Sequence, residues 1–199
     1  MPIQTPICDF GQKAIPFELK STENKILSLD DIKGENGTLI MFICNHCPYV
    51  KAVTKEIVED CNELKKIGIN SVAICANDAE NYPEDSFENM IKFSKDNNFN
   101  FPYLNDETQN IAKSYDAVCT PDFFGYNKKL ELQYRGRLRE LRNLIPVKEG
   151  ESDLLKAMKQ IAEKGEGPKD QIPSAGCSIK WKKGTFVLKP FLRKQKKLK

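Results

Sequence analysis

Residues 38–48 read Thr-Leu-Ile-Met-Phe-Ile-Cys-Asn-His-Cys-Pro, and this stretch decides the fold. Its apolar run, 39–43, predicts a buried strand. Proline is tolerated in the first turn of a helix, so Pro48 allows a helix to begin at once. The apolar positions that follow recur at intervals of three and four, which predicts an amphipathic helix over residues 47–67 that ends at Gly68.

The junction between this strand and this helix holds two cysteines with the spacing of a dithiol redox centre. Cys44 precedes the predicted helix, and Cys47 lies in its first turn. Between them is His46, the only histidine of the chain. A helix N-terminus and an imidazolium both favour a thiolate over a thiol, so we expect His46 to lower the pKa of Cys44.

The rest of the chain predicts an α/β protein. Apolar patterns predict a hairpin over 15–32, a buried strand at 72–76, a helix containing 87–94, an edge-like segment at 101–104, a helix at 107–115, a hairpin over 123–134 and a helix at 152–162. Little regular structure is expected beyond Gly165. This order places Cys44 at the carboxyl end of a central strand, where open α/β sheets carry their sites.

Length and composition indicate one domain in a reducing compartment. A chain of 199 residues can bury a core without structural disulfides. No stretch has the character of a secretory signal or a membrane span, so we expect a cytoplasmic protein. A lasting disulfide there is catalytic rather than structural. Four further cysteines are therefore interpreted as small apolar residues: Cys8, Cys61, Cys75 and Cys119.

The positive charge of the chain belongs to its C-terminal end. The formal net charge is +3, and residues 180–199 hold nine Lys or Arg and no acid. Subtracting those nine charges leaves −6 on the first 179 residues, which argues against nucleic-acid binding by the folded domain. Residues 182–199 are interpreted as an appendage that the dithiol chemistry does not need.

The chain resembles the thioredoxin superfamily, and more closely its AhpC/TSA, peroxiredoxin-like branch. The likeness extends over residues 10–163 and is carried by residues 42–51, 77–78, 101–106 and 118–124. It implies a thioredoxin fold, a central mixed β-sheet flanked by helices with an N-terminal β-hairpin. We expect a thioredoxin-like domain at 1–163 and a C-terminal extension with the basic tail at 164–199. Residues 173–182 are also similar to the end of a peroxiredoxin-like subgroup that keeps a C-x-x-C motif.

The resemblance also implies roles for individual residues. It makes Cys44 the exposed attacking thiol and Cys47 the resolving thiol. Thr120 and Pro121 resemble the cis-proline loop of the superfamily, which turns the backbone of Thr120 outward to pair with an extended substrate peptide. Cys177 follows a glycine in a loop instead of occupying a periodic apolar position, so we consider it a third redox thiol that folds back near Cys44.

The proton acceptor for the second thiol is an open question. Thioredoxins bury an acid before the first cysteine, and this chain has Thr38 at that position. Asp78, at the carboxyl end of the neighbouring strand, is our candidate acceptor. The alternative is that Asp78 caps a helix or forms a turn.

The predicted function is a thiol–disulfide oxidoreductase without cofactor or metal, acting on protein disulfides with a thiol electron donor, as a monomer or homodimer. The first alternative is a thiol peroxidase, an antioxidant enzyme that uses Cys44 with Arg137 or Arg139 nearby. The peroxiredoxin pattern Pro-x-x-x-Ser/Thr-x-x-Cys ends at neither cysteine, which argues against a fast peroxidase. The second alternative is a Cu(I) site formed by Cys44, Cys47 and His46.

Overall fold

The computed structural model describes residues 2–184. Its strands are β1 (Ile3–Gln4), β2 (Glu18–Ser21), β3 (Ile26–Ser28), β4 (Gly37–Phe42), β5 (Ile69–Cys75), β6 (Tyr103–Asn105), β7 (Cys119–Thr120), β8 (Asp122–Asn127), β9 (Leu132–Tyr134), β10 (Leu141–Arg142), β11 (Ile145–Pro146) and β12 (Ala175–Ser178). Its α-helices are α1 (Leu29–Ile32), α2 (Pro48–Lys66), α3 (Phe87–Asp96), α4 (Asn110–Ser114) and α5 (Asp153–Lys164). Within residues 2–184, no helix has the length and apolarity needed to cross a membrane.

The core is a seven-stranded mixed sheet in the order β3-β2-β6-β5-β4-β8-β9. Its central strand β4 pairs in parallel with β5 and antiparallel with β8. Leu39 and Met41 enter an apolar cluster with α2, α3 and α5, whereas Ile40 and Phe42 enter a second cluster with α1 and α4. A strand that is buried on both faces favours apolar residues at consecutive positions, which explains the unbroken apolar run 39–43 after Thr38.

The structure confirms most of the predicted elements and corrects one position in the sheet. The hairpins β2–β3 and β8–β9, the strands β4 and β5 and the helices α2, α3, α4 and α5 are all present. The segment at 101–104 was expected at a sheet edge. Instead β6 lies between β5 and β2, because the N-terminal hairpin adds to the sheet outside it.

A second sheet contradicts the expectation of little regular structure beyond Gly165. β12 lies between β1 and β7 and pairs antiparallel with both. The close approach of β12 to β7 requires glycine at position 176, because a Cβ there would lie 2.0 Å from the carbonyl oxygen of Thr120. The sequence Ala-Gly-Cys-Ser has no apolar alternation, so nothing in it signals a strand. The predicted tail beyond residue 184 lies outside the described part of the chain.

Candidate active site

The two thiols of the motif lie where β4 gives way to α2. Cys47 is the residue that caps the N-terminus of α2, and Pro48 opens the first turn. The central strand thus delivers Cys44, and the helix start delivers Cys47. Both are buried, with 1% of Cys44 and 0% of Cys47 exposed. The expectation of an exposed Cys44 is wrong, because Cys44 is buried in the apolar cluster together with Cys47.

Thr120 contacts both thiols from the opposite side. The Thr120–Pro121 peptide bond is cis, as the resemblance implies. The hydroxyl oxygen of Thr120 lies 3.3 Å from the sulfur of Cys44, and its carbonyl oxygen accepts a hydrogen bond from the thiol of Cys47 at 3.1 Å. The loop before β8 therefore completes a site whose sulfur atoms come from the strand-to-helix junction.

The backbone edge of Thr120 is already occupied. Residue 177 is the register partner of Thr120 in the β12–β7 pairing, and Ser178 pairs with Cys119. The position that we predicted for an incoming peptide is therefore filled by the chain itself. Cys177 brings a third thiol to the site, which hydrogen-bonds to Cys47 and packs against the same apolar cluster. We expected Cys177 to lie near Cys44, and the structure instead shows it interacting with Cys47.

Hydrogen bonding changes the pKa values of the two thiols in opposite directions. A hydrogen bond from Cys44 is the largest cause that holds the pKa of Cys47 below the ordinary thiol range, and bonds from Thr120, the Val50 backbone and Cys177 add to it. Burial opposes this by raising the pKa of Cys47, but the hydrogen bonds together outweigh it. The same bond with Cys47 is the largest cause that raises the pKa of Cys44, followed by burial and the charge of Asp85.

The first proton therefore leaves Cys47 and not Cys44. This result differs from the expectation of a lowered pKa at Cys44. Whether His46 by itself favours the Cys44 thiolate stays a prediction. The hydrogen bond between the two thiols gives the Cys44 proton a direct acceptor in Cys47. Asp78 was the candidate acceptor for the proton of Cys47, and that role stays a prediction.

Asp85 is the functional residue that sequence analysis missed. It ends the 3₁₀ turn Pro83–Asp85 and is 2% exposed. Its carboxylate accepts hydrogen bonds from the backbone N–H of Asn45 at 2.8 Å and from the Asn77 amide at 2.7 Å, and it pairs with Nδ1 of His46 at 2.6 Å. The motif loop is therefore fixed from outside by one buried carboxylate. The turn lies in a polar stretch without periodicity, and no sequence signal connects it to the motif.

Two aromatic residues extend this network. The hydroxyl of Tyr103 donates to the side-chain oxygen of Asn45 at 2.9 Å. The ring of His46 stacks on Tyr82, with 5.9 Å between centroids and 5° between planes. The ammonium of Lys180 lies 5.7 Å from the centre of the same tyrosine ring. The segment after β12 therefore contacts the residues that hold His46 in place.

Asp78 has the contacts of a turn residue. Its carboxylate accepts from the backbone N–H of Glu80 at 3.1 Å and from the Asn81 amide at 2.6 Å. The bond from Asn81 is also the largest cause that lowers the pKa of Asp78. These contacts match the alternative role, and the carboxylate beside the motif belongs to Asp85.

The two arginines considered for a peroxidase are engaged elsewhere. Arg137 pairs with Asp153 at 2.7 Å. Nε of Arg139 donates to Glu56 at 2.6 Å. Both guanidinium groups are thus committed to carboxylates of the helical layer.

A three-ligand metal cluster is geometrically available at the motif. Ligand atoms of Cys44, His46 and Asp85 lie within 4.8 Å of one another. The carboxylate of Asp85 already satisfies His46 and Asn77, so the cluster is hydrogen-bonded without an ion. The metal-binding alternative therefore has ligands of suitable type, but they already partner one another.

Fold and site together define a thioredoxin-fold protein with a Cys-x-x-Cys dithiol and a cis-proline loop. The AhpC/TSA family profile matches residues 10–140, and the chain belongs to that family. A candidate peroxiredoxin, bcp, of Coxiella burnetii is 27% identical over 124 residues, which are 61% of this chain and 75% of the relative.

Two solved structures match almost the whole chain. An uncharacterised conserved protein of Geobacillus kaustophilus is 41% identical, with a TM-score of 0.84 over 93% of this chain and 98% of its own. A hypothetical protein of Sinorhizobium meliloti is 32% identical, with a TM-score of 0.84 over 92% of this chain and 100% of its own. With 92% or more of the chain covered, the likeness extends beyond residue 140, where the family match ends.

Proposed function

We propose that this protein is a thiol–disulfide oxidoreductase in which Cys44 attacks and Cys47 resolves. The observation that carries the proposal is the contact of two buried thiols at a helix start with the cis-proline loop. Thiol–disulfide exchange needs an ionisable thiol, a second thiol within reach and a proton acceptor. The hydrogen-bonded pair supplies all three.

The reaction proceeds by two sulfur-to-sulfur displacements. As Cys44 attacks one sulfur of the substrate disulfide, its proton passes to the Cys47 thiolate along their shared hydrogen bond. The substrate disulfide breaks, and Cys47 passes that proton on to the first substrate thiolate, which leaves as a thiol. The Cys47 thiolate then attacks the sulfur of Cys44 and releases the second substrate sulfur as a thiolate, which takes up a proton from solvent. The substrate gains two electrons, and the protein retains a Cys44–Cys47 disulfide.

The proposed substrates are protein disulfides, and the proposed donor is a cellular thiol. An extended peptide that pairs with Thr120 must first displace β12, because that strand fills the edge. All seven cysteines are unpaired in this structure, which agrees with the cytoplasm as the proposed location.

The test is reduction of a protein disulfide by the full chain with a dithiol as electron donor. We expect Cys44→Ser to abolish turnover. Cys8→Ser, which removes a partly exposed cysteine outside the site, should retain full activity. Absence of reduction by the unaltered chain, or undiminished reduction by Cys44→Ser, contradicts the proposal.

A thiol peroxidase is the second candidate, and it is favoured by the relative in Coxiella burnetii. Its step is attack of the Cys44 thiolate on a peroxide oxygen, which gives a sulfenic acid that Cys47 condenses to the disulfide with loss of water. The commitment of Arg137 and Arg139 to carboxylates weighs against it. Peroxide consumption that exceeds disulfide reduction under the same donor would favour this candidate.

A further inference from the structure

β12 places Cys177 beside the dithiol, packed against the apolar cluster that contains Cys44 and Cys47. The strand is fixed on both sides, with Gly176 opposite Ile3 in β1 and Cys177 opposite Thr120 in β7. Thr120 in turn contacts both thiols of the motif. The Cys47 thiol therefore has two sulfur neighbours, Cys44 on one side and Cys177 on the other.

We propose that Cys177 is a third catalytic thiol, which forms a disulfide with Cys47. The proposal rests on the exchange reaction above, because that reaction supplies the Cys44–Cys47 disulfide. The Cys177 thiolate attacks the sulfur of Cys47, and the bond between Cys44 and Cys47 breaks as the new bond forms. Cys44 leaves as a thiolate and takes up the proton that Cys177 lost. One disulfide replaces another, so the step consumes no oxidant or reductant.

The three thiols differ in their access to solvent, and this gives the transfer a use. Cys44 and Cys47 are buried, whereas Cys177 is partly exposed. An external dithiol therefore meets the sulfur of Cys177 first. Its attack breaks the Cys47–Cys177 bond, and its second thiol then displaces Cys177 and leaves as a disulfide. Electrons would enter the site at Cys177 and reach the substrate through Cys44.

The pKa of Cys177 changes in the direction that this series of disulfide exchanges requires. Burial raises the pKa of Cys177 to about 11, and the hydrogen bond and negative charge of Cys47 contribute to the rise. A Cys47 sulfur that is part of a disulfide carries no negative charge. The pKa of Cys177 then falls, so its thiolate becomes more abundant when there is a disulfide to attack.

β12 also has the geometry of a bound substrate. It is an extended strand that lies antiparallel to the residue before the cis-proline. Because β12 belongs to the same chain, its thiol meets the dithiol at an effective concentration that no free thiol in solution matches. Cys177 thus competes with external thiols for the same disulfide.

The test uses the full-length variant Cys44→Ser and glutathione disulfide as the probe. Glutathione should form a mixed disulfide with Cys177, the more accessible of the two thiols, or with Cys47, and the other thiol should then displace the glutathione. Mass spectrometry is expected to show a chain lighter by two hydrogens and a Cys47–Cys177 linked peptide. Adding Cys177→Ser should leave glutathione on Cys47. Adding Cys119→Ser, a buried cysteine next to Thr120, should leave the linked peptide unchanged.

Glutathione that stays on Cys47 while Cys177 is free overturns the proposal. This result does not depend on Cys44, so it is separate from a failure of the exchange reaction. In the chain with Cys44 present, Cys177→Ser should slow turnover with a dithiol donor about tenfold and leave the first turnover unchanged. Turnover by Cys177→Ser equal to that of Cys8→Ser also overturns it. Absence of substrate reduction by the unaltered chain overturns the proposed function instead.

Discussion

A carboxylate and an imidazole that bond to each other lie beside Cys44. Asp85 contributes to the raised pKa of Cys44, after the hydrogen bond with Cys47 and burial, and pairs with His46 at 2.6 Å. In a Cys47→Ser background, we expect Asp85→Asn to speed alkylation of Cys44 near neutral pH about threefold or more, and His46→Ala to slow it. Asp78→Asn is the matched control and should change nothing. Equal rates in all three variants would contradict this electrostatic account.

The first thiolate of the site should depend on Cys44 while residing on Cys47. Cys44→Ala removes the hydrogen bond that is the largest cause of the lowered Cys47 pKa. We therefore expect the pKa of Cys47 to rise in that variant, so that its alkylation at mildly acidic pH slows about tenfold or more. The measurement is alkylation rate against pH, with Cys8→Ala as control. A low-pKa thiolate that persists in Cys47→Ala would place it on Cys44 instead.

Among the residues of the site, the sequence predicted those that lie close together in the chain. Cys44, His46 and Cys47 share one motif, so their pattern was visible. Asp85 and Asn45 meet across forty residues of sequence, in a turn without periodicity. No local pattern predicts such a contact, which is why the acid beside the dithiol was sought at Asp78.

Strand β12 connects the C-terminal segment to the site, and Gly176 is its most sensitive position. A Cβ there would lie 2.0 Å from the Thr120 carbonyl oxygen, so Gly176→Ala should force β12 away from β7. We expect alkylation of Cys47 to rise several-fold and the Cys47–Cys177 link to disappear. Gly184→Ala adds a Cβ that meets no atom within 4 Å at a backbone φ of 83°, so it controls for strain at a glycine that does not contact β7. Unchanged protection of Cys47 in Gly176→Ala would show that β12 does not cover the dithiol.

Helices α2 and α5 meet at a buried pair that should make stability depend on pH. Ser152, which caps α5, donates to Asp60 of α2 at 2.5 Å. Burial raises the pKa of Asp60 to about 6, so the folded state holds this proton more tightly than the unfolded state. Stability from this group is present below the usual pKa near 4 and is lost as pH rises through 6, by about 3 kcal/mol.

Asp60→Asn should remove that loss. The difference in unfolding free energy between variant and unaltered chain is expected to grow in favour of the variant between about pH 4 and pH 7. Denaturant unfolding at several pH values measures it. Asp30→Asn, which changes an exposed acid on α1, is the control. A difference that stays constant with pH would contradict the raised pKa.

The helices and strands could be predicted where the spacing of apolar residues in the sequence matches the face that is buried. β4 and α2 carry strong patterns because one is buried on both faces and the other on one stripe. β12 carries none, since its place is set by backbone pairing with β1 and β7 and not by its side chains. The position of β6 likewise depends on which strand the N-terminal hairpin joins, a choice that local patterns do not contain.

At the scale of the whole molecule, hydrogen bonds connect the segment that follows β12 to the rest of the folded chain. The backbone N–H of Lys180 donates to Asn77 at 2.9 Å, and that of Lys182 donates to Gln109 at 2.9 Å. We expect removal of residues 185–199 to leave disulfide reduction within a factor of a few, and to abolish any polyanion binding. Turnover with a dithiol donor measures the first, and salt titration of polyanion binding the second. Loss of folding in the truncated chain would place the tail in the domain.

The central claim is that Cys44 attacks and Cys47 resolves, and trapping with a protein disulfide tests it most directly. Without the resolving thiols, the mixed disulfide on Cys44 has no intramolecular exit. In Cys47→Ser, and more completely when Cys177→Ser is added, we predict that a covalent complex with the substrate accumulates through Cys44. Cys44→Ser should give no turnover and less complex. Equal trapping by Cys44→Ser and Cys47→Ser would contradict the assignment of the two thiols.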